Sequence, residues 1–344
     1  MPELPTIHFI HPRAEQWREW VSREPLRSPH DEPQRFRSAR DHATSQIFVH
    51  LLRRGHDVRI SEHFVPGEVC VVHTDDLALR EPLYDSFIVV IQNDRCSPKV
   101  GNLCVTCSRR SLRRSRDHFM PFYAQTGLLP RDPARGTRIE RLAFMGIAEN
   151  LAAEFAGDAF RTKLARRGVE LRIEQRDWHN YRDVDLVLAV RTHYVERFLR
   201  HKPPVKLINA WRAGVPALLG PEPSFRDLRR TDLDYIEITR PEDALAAIDR
   251  LQQDPQTYAA MVENALSRGA AHSDEAVNQA WEALFAGPVA TRYRRWLATR
   301  GRVARAVRKL CYRWQAARHW RARRRWDDMS WWRLPGTGGA SSSA

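Results

Sequence analysis

Two cations and a carboxylate stand close together in the second half of the chain: Arg191, Lys206 and Glu222. Arg191 follows Asp185 to Val190 (DLVLAV), a nearly continuous apolar run expected to be a buried parallel strand, so it belongs at that strand's carboxyl end. Lys206 falls in the first turn of a helix expected over Pro204 to Ala213 and closed by Gly214. Glu222 lies in the Gly-Pro-Glu turn, and Ser224 to Asp227 reads as a capping box opening the next helix. Guanidinium and ammonium groups at strand and helix ends suit a phosphate, whose charge they neutralise; a turn carboxylate suits hydroxyl groups. Gly146, in FMGIAEN, marks a further strand-to-helix junction where backbone can approach a phosphate closely. The competing reading pairs Arg191 and Lys206 with surface carboxylates and leaves Glu222 to shape a turn.

A second group lies in the first half. His73 ends the run VCVVH, with Thr74, Asp75 and Asp76 after it, and Asn93 follows FIVVI within Gln92 to Arg95. Polar groups at the carboxyl ends of neighbouring strands make His73 and Asn93 the candidate catalytic residues. The alternative is a loop histidine satisfied by local backbone, with Asp75 and Asp76 as a helix cap. Cys104 and Cys107, with Cys96 nearby, invite a metal reading. Residues three apart on a strand face opposite sides, however, and no second ligand pair completes a set, so no metal is expected. There is no G-x-G-x-x-G, Walker or nucleophile-elbow sequence, which counts against a dinucleotide dehydrogenase, a P-loop ATPase and a serine hydrolase.

The elements that must position these groups read as two α/β halves. In the first, strands are expected at 6–10, 56–61, 69–73, 86–92, 103–106 and 118–123, with a helix from Ser38 to Arg54 stopped by Gly55. The segment 127–136, GLLPRDPARG, approaches a linker. In the second half, strands are expected at 141–145, 169–174, 185–190, 215–219 and 235–238. Helices are expected at 150–168, 204–213, 241–252, 254–267 and 274–285. The pattern predicts two doubly wound domains, 1–137 and 138–288, facing a cleft, followed by a tail at 289–335 and a flexible end at 336–344.

Composition bounds the class. The 344 residues are 42% apolar and 28% charged, enough for ordinary cores. No apolar run approaches the ~20 residues that span a bilayer. The start lacks a basic region followed by an apolar segment, and five cysteines do not make a disulfide framework, so a cytoplasmic protein is expected. The net charge of +14 is concentrated: residues 291–333 hold 14 Arg, one Lys and two Asp, and six of the 11 Trp. Trp296, Val303, Val307, Leu310, Trp314 and Ala317 recur at helical spacing as one apolar stripe. A basic amphipathic helix of this kind suits an anionic membrane surface, which would make the protein peripheral on the inner face of a membrane. The alternatives are packing of the stripe on the body and, least favoured, nucleic-acid binding. The body is expected to fold without the tail.

The segment 206–228, KLINAWRAGVPALLGPEPSFRDL, resembles the donor-binding segment of retaining GT-B glycosyltransferases of the family 4/1 type. Their second domain carries EAMA-G-PV, then a Gly-rich turn and Pro-Glu. Downstream, DYIE and PEDALAAIDRLQQDPQTYAAMVENALSRG are similar to that family's last strand and closing helices, so the resemblance covers about 139–285. It implies a GT-B-like fold and metal-independent, retaining transfer of a sugar from a nucleotide-sugar, a substrate rather than a cofactor, to a glycan or lipid-linked acceptor. Together with the strand-end positions of Gly146 and Arg191, it puts Gly146, Arg191, Lys206, Asn209, Glu222 and Ser224 at the donor and His73 on the acceptor side. The family's paired glutamates are replaced here by His201 and Asn209. Asn209 retains the ability to hydrogen-bond a sugar hydroxyl, and a non-catalytic GT-B-like binding protein is the alternative.

Overall fold

The computed structural model describes residues 6–36, 38–79, 81–299, 301–328 and 332. They divide into two compact units, one holding the described residues of 1–121 and 277–328, the other those of 122–276 and 329–344.

The first unit is built on six parallel strands: β1 (Ile7–Ile10), β2 (Val58–Ser61), β3 (Val69–His73), β4 (Phe87–Ile91), β5 (Leu103–Thr106) and β6 (Asp117–Phe119). Their order is β2-β1-β3-β4-β5-β6. Every residue of β3 and β4 is buried, as expected for short apolar runs covered on both faces. The helix expected from Ser38 is shorter: a π-helical turn, Asp41–Ser45, precedes the α-helix Gln46–Arg53. Gly55, at φ 81°, then takes the left-handed conformation that turns the chain toward β2.

The second unit carries β7 (Arg141–Met145), β8 (Glu170–Glu174), β9 (Leu186–Ala189), β10 (Ala217–Leu219) and β11 (Ile236–Glu237), in the order β11-β10-β9-β7-β8. All pairings are parallel. Alternate side chains feed two cores. Leu142, Phe144, Leu186, Leu188 and Leu218 enter one; Ala143, Met145, Val187, Ala189, Ala217 and Leu219 enter the other. Both faces of the sheet are therefore covered, and β9 lies at its centre. The single helix expected over 150–168 is instead a 3-10 turn, Ala148–Asn150, and two helices, Ala153–Ala156 and Asp158–Ala165. Extended backbone at Gly157 separates the two helices.

The unit boundaries differ from the expected domain limits. Residues 122–137 join the second unit because its groups hold them: Leu129 N donates to His179 O (2.8 Å) and Tyr181 N to Leu129 O (2.9 Å). Residues 277–328 join the first unit. Glu282 meets Arg54 and His56, and the Tyr293 hydroxyl donates to Gly67 O (2.6 Å). The tail forms two helices, Ala290–Leu297 and Arg302–Asp327, whose Tyr293, Trp296, Tyr312 and Trp326 are buried. These four buried aromatic side chains make the tail part of the first unit's packing. Trp296 also leaves the expected stripe, since it sits on the earlier helix. The end at 336–344 lies outside the described residues. Among the described residues, no helix is long and apolar enough to cross a membrane.

Candidate functional site

Three strand ends build the carboxyl edge of the second unit. Arg191 follows β9, Gly146 follows β7 and Gly220 follows β10. Gly220 N donates to Ala189 O (2.8 Å), holding the ends of β9 and β10 together. A Cβ on Gly220 would lie 3.2 Å from Val190 Cα and 3.4 Å from Arg191 N, so a larger residue would crowd them apart. That approach brings the next turn onto Arg191, whose Nη1 donates to both carboxylate oxygens of Glu222, at 2.7 and 2.8 Å. The side chains are 10% and 1% exposed. Two of the expected site residues therefore pair with each other, and the Glu222 carboxylate is engaged. The pairing leaves work undone: Arg191 Nε and the Ser224 hydroxyl are buried without a hydrogen-bond partner among the described residues.

Lys206 enters from the first turn of helix Val205–Ala213, which ends on Gly214 at φ 66°. Its Nζ donates to Met145 O, at the end of β7, and lies 4.7 Å from the centre of the Phe144 ring. Gly146 leaves room for it, because a Cβ there would lie 2.7 Å from Nζ. Burial pushes the Lys206 pKa down to about 7, the Arg191 charge adds to that, and Glu222 opposes it. Two cations thus lie near one carboxylate, which only Arg191 contacts, in a poorly hydrated place. An incoming anion would relieve both the mutual repulsion of the cations and the idle donor on Arg191.

Asn209 is differently employed. Its Oδ1 accepts from Gln125 N (2.8 Å), and it hydrogen-bonds the buried Tyr181 hydroxyl. It ties residues 122–125 to the second unit.

The first unit's carboxyl edge carries His73 and Asn93. His73 is fully buried and aligned with Ile91, two residues before Asn93. Its Nδ1 accepts from Asp75 N (3.3 Å), which places the proton on Nε2, itself buried without a partner among the described residues. Burial pushes its pKa down to about 4, so the ring is neutral at physiological pH and offers a donor rather than a base. Asn93 adopts φ 48°, is 5% exposed and leaves Oδ1 unpartnered among the described residues. Asp75 is engaged by Arg95 (2.9 Å) and Asp76 by Arg40 (2.6 Å), so these carboxylates serve ion pairs.

One constellation was not expected from the sequence. His11, just past β1, donates from Nε2 to Asp41 (2.9 Å), while its Nδ1 accepts from Arg13 N (3.0 Å). Arg13 Nη2 (2.7 Å) and the Ser38 hydroxyl (2.5 Å) also reach Asp41. Burial pushes the Asp41 pKa up, but hydrogen bonds from His11 and Ser38 and the Arg13 charge outweigh it and hold the pKa below its ordinary value. The only sequence signal was the position of HPR directly after a strand. The cysteines Cys96, Cys104 and Cys107 are free and buried, and burial pushes the Cys104 and Cys107 thiols up to about 12. Among the described residues, no three His, Cys, Asp or Glu side chains gather as a metal-binding group.

No protein-family model matches the chain, and no curated protein does so significantly. Solved structures do. Anabaena HepE, in a complex with UDP and glucose, matches at a TM-score of 0.52 and 11% identity, over 82% of this chain and 100% of HepE. The chain has the GT-B fold. Sucrose-phosphate synthase of Thermosynechococcus elongatus is similar at a TM-score of 0.49 and 11% identity, over 65% of this chain and 74% of that one. The pneumococcal O-GlcNAc transferase GtfA, with UDP and GlcNAc, is similar at 0.49 and 10%, over 72% and 60%. Within this GT-B chain the expected donor residues separate. Arg191, Lys206, Glu222 and Gly146 converge, Ser224 lies buried two residues beyond Glu222, and Asn209 is committed to holding the chain.

Proposed function

We propose that the protein is a glycosyltransferase that takes a nucleotide-sugar donor on the carboxyl edge of its second unit. The observation that supports this best is a buried Arg191–Glu222 ion pair at that edge with the Lys206 ammonium beside it, held on Met145 O, on a fold shared with HepE. Departure of a nucleoside diphosphate builds negative charge on phosphate oxygens. Lys206 and Arg191 supply charge stabilisation there without a metal. Phosphate binding protonates Lys206 fully, because an anion beside the ammonium raises its pKa. Glu222 keeps Arg191 aimed, and Ser224 offers a hydroxyl to the donor. In the first unit, His73 donates its Nε2 proton to a sugar or acceptor oxygen, and Asn93 accepts from a hydroxyl. The acceptor is a glycan, free or lipid-linked, and the configuration at the transferred sugar is retained, as the sequence resemblance implies.

A thermal-shift screen of nucleotides and nucleotide-sugars tests the donor assignment. A ligand at 100 times its dissociation constant stabilises by about 2.7 kcal/mol. Release of nucleoside diphosphate from the donor, dependent on added glycan, then tests transfer. A second reading is favoured by Asn209, which stands where the resembled family has a glutamate and is held by Gln125 and Tyr181. On that reading the chain binds donor without turning it over, so binding without diphosphate release would support it.

A further inference from the structure

The helix Arg302–Asp327 has two faces with different environments. Tyr312, His319 and Trp326 are buried against the first unit, where the Tyr312 hydroxyl donates to Leu79 O (2.9 Å). Half a turn away, Val303, Val307, Leu310 and Trp314 lie along one line and are 79, 54, 70 and 62% exposed. Ala317 continues that line and is exposed. Arg313, Arg318, Arg321 and Arg324 are exposed beside it or on its extension. The Arg318 guanidinium lies 4.4 Å over Trp314, and that of Arg324 lies 4.6 Å over the exposed Trp320.

We propose that this outward face is a docking surface for an anionic lipid bilayer, with the helix lying in the plane of the interface. The inference is independent of the donor-site assignment. Charge decides the occupant. The helix holds nine Arg and one Lys against one Asp, so a second copy stacked on the stripe would bring like charges together. A nucleic acid would satisfy the arginines but give Val303, Val307 and Leu310 nothing to pack on. An anionic bilayer serves both sets of groups. Aliphatic side chains and Trp314 enter the acyl boundary, while the arginines reach headgroup phosphates. At a rise of about 1.5 Å per residue the apolar line from Val303 to Ala317 is roughly 21 Å long.

Flotation of the full chain with vesicles tests this. Binding is expected to phosphatidylcholine mixed with phosphatidylglycerol, to be weak for phosphatidylcholine alone, and to fall steeply as salt rises. Tryptophan emission should move to the blue on binding. Leu310→Ser with Trp314→Ser should lower partitioning on the order of tenfold to a hundredfold, with an unchanged unfolding midpoint because both side chains face solvent. Arg313→Gln with Arg318→Gln should lower it roughly tenfold. The proposal is overturned by equal binding to neutral vesicles, or by unchanged partitioning of the Leu310/Trp314 variant. Tighter binding to single-stranded RNA at physiological salt, or a dimer that the same variant dissociates, would also overturn it.

Discussion

The two ends of β9 carry buried ion pairs of opposite character. At its start, Asp185 is fully buried and completely satisfied. It accepts from Arg131 (2.8 and 3.2 Å), from Arg135 (2.7 and 2.7 Å) and from the backbone N–H groups of Glu140 (2.9 Å) and Arg141 (3.0 Å). At its finish, Arg191 holds Glu222 through one nitrogen and its Nε is buried without a partner among the described residues, with Lys206 close enough for the Arg191 charge to lower the lysine's pKa. One network closes on itself and fixes residues 131–141 to the sheet. The other leaves the Arg191 Nε and the Ser224 hydroxyl without partners among the described residues, which an incoming anion would supply on the proposed function. Burial and charge alone do not distinguish a structural pair from a binding site.

Breaking the closed end should have the largest effect. Asp185→Ala leaves two guanidinium groups facing each other without their carboxylate and should cost about 3–5 kcal/mol in chemical denaturation. Arg191→Leu removes one guanidinium from one carboxylate and should cost less, about 2–3 kcal/mol. Most of that should return when Glu222→Leu is added, since the stranded carboxylate is then gone. An Arg191 variant costing as much as the Asp185 variant would erase the distinction.

The open end should also show its nature through pH. Lys206 has a depressed folded pKa, about 7 against an ordinary value of 10.5. Its burden on stability is therefore full below about 7 and is relieved as pH rises toward 10.5. Lys206→Met should stabilise the protein by ~1 kcal/mol at pH 6, with the gain shrinking at pH 9. Unfolding midpoints at the two pH values check the sign. The smallest effect belongs to Gly146→Ala, whose new methyl group must displace the Lys206 ammonium. Stability should change by no more than ~0.5 kcal/mol, while titration calorimetry should show nucleoside-diphosphate affinity lowered about threefold to tenfold.

The contrast between the ends of β9 was only half legible in the sequence. A buried parallel strand followed by Arg191, a capped helix start at Lys206 and the Gly220 turn all follow from local rules, and these placed the open end. The closed end depends on Arg131 and Arg135, some 50 residues before Asp185 in a segment that reads as linker. No periodicity announces such a pairing. Asn209 misled for a similar reason: its position on the helix was readable, but its partners Gln125 and Tyr181 come from distant chain. The tail's outward stripe was visible as spacing. Its buried face, Tyr312, His319 and Trp326, was hidden because each of those residues sits next to an arginine in a strongly basic stretch.

Lys206→Ala, titrated with a nucleoside diphosphate and with the free nucleoside, tests the donor assignment most directly. A charge-assisted hydrogen bond contributes about 1.5–3 kcal/mol, so diphosphate affinity should fall roughly 10- to 150-fold. Nucleoside affinity should stay nearly constant, because the nucleoside carries no phosphate for the ammonium to meet. Diphosphate binding as tight in the variant as in the parent would contradict the assignment and remove the phosphate from this edge of the sheet.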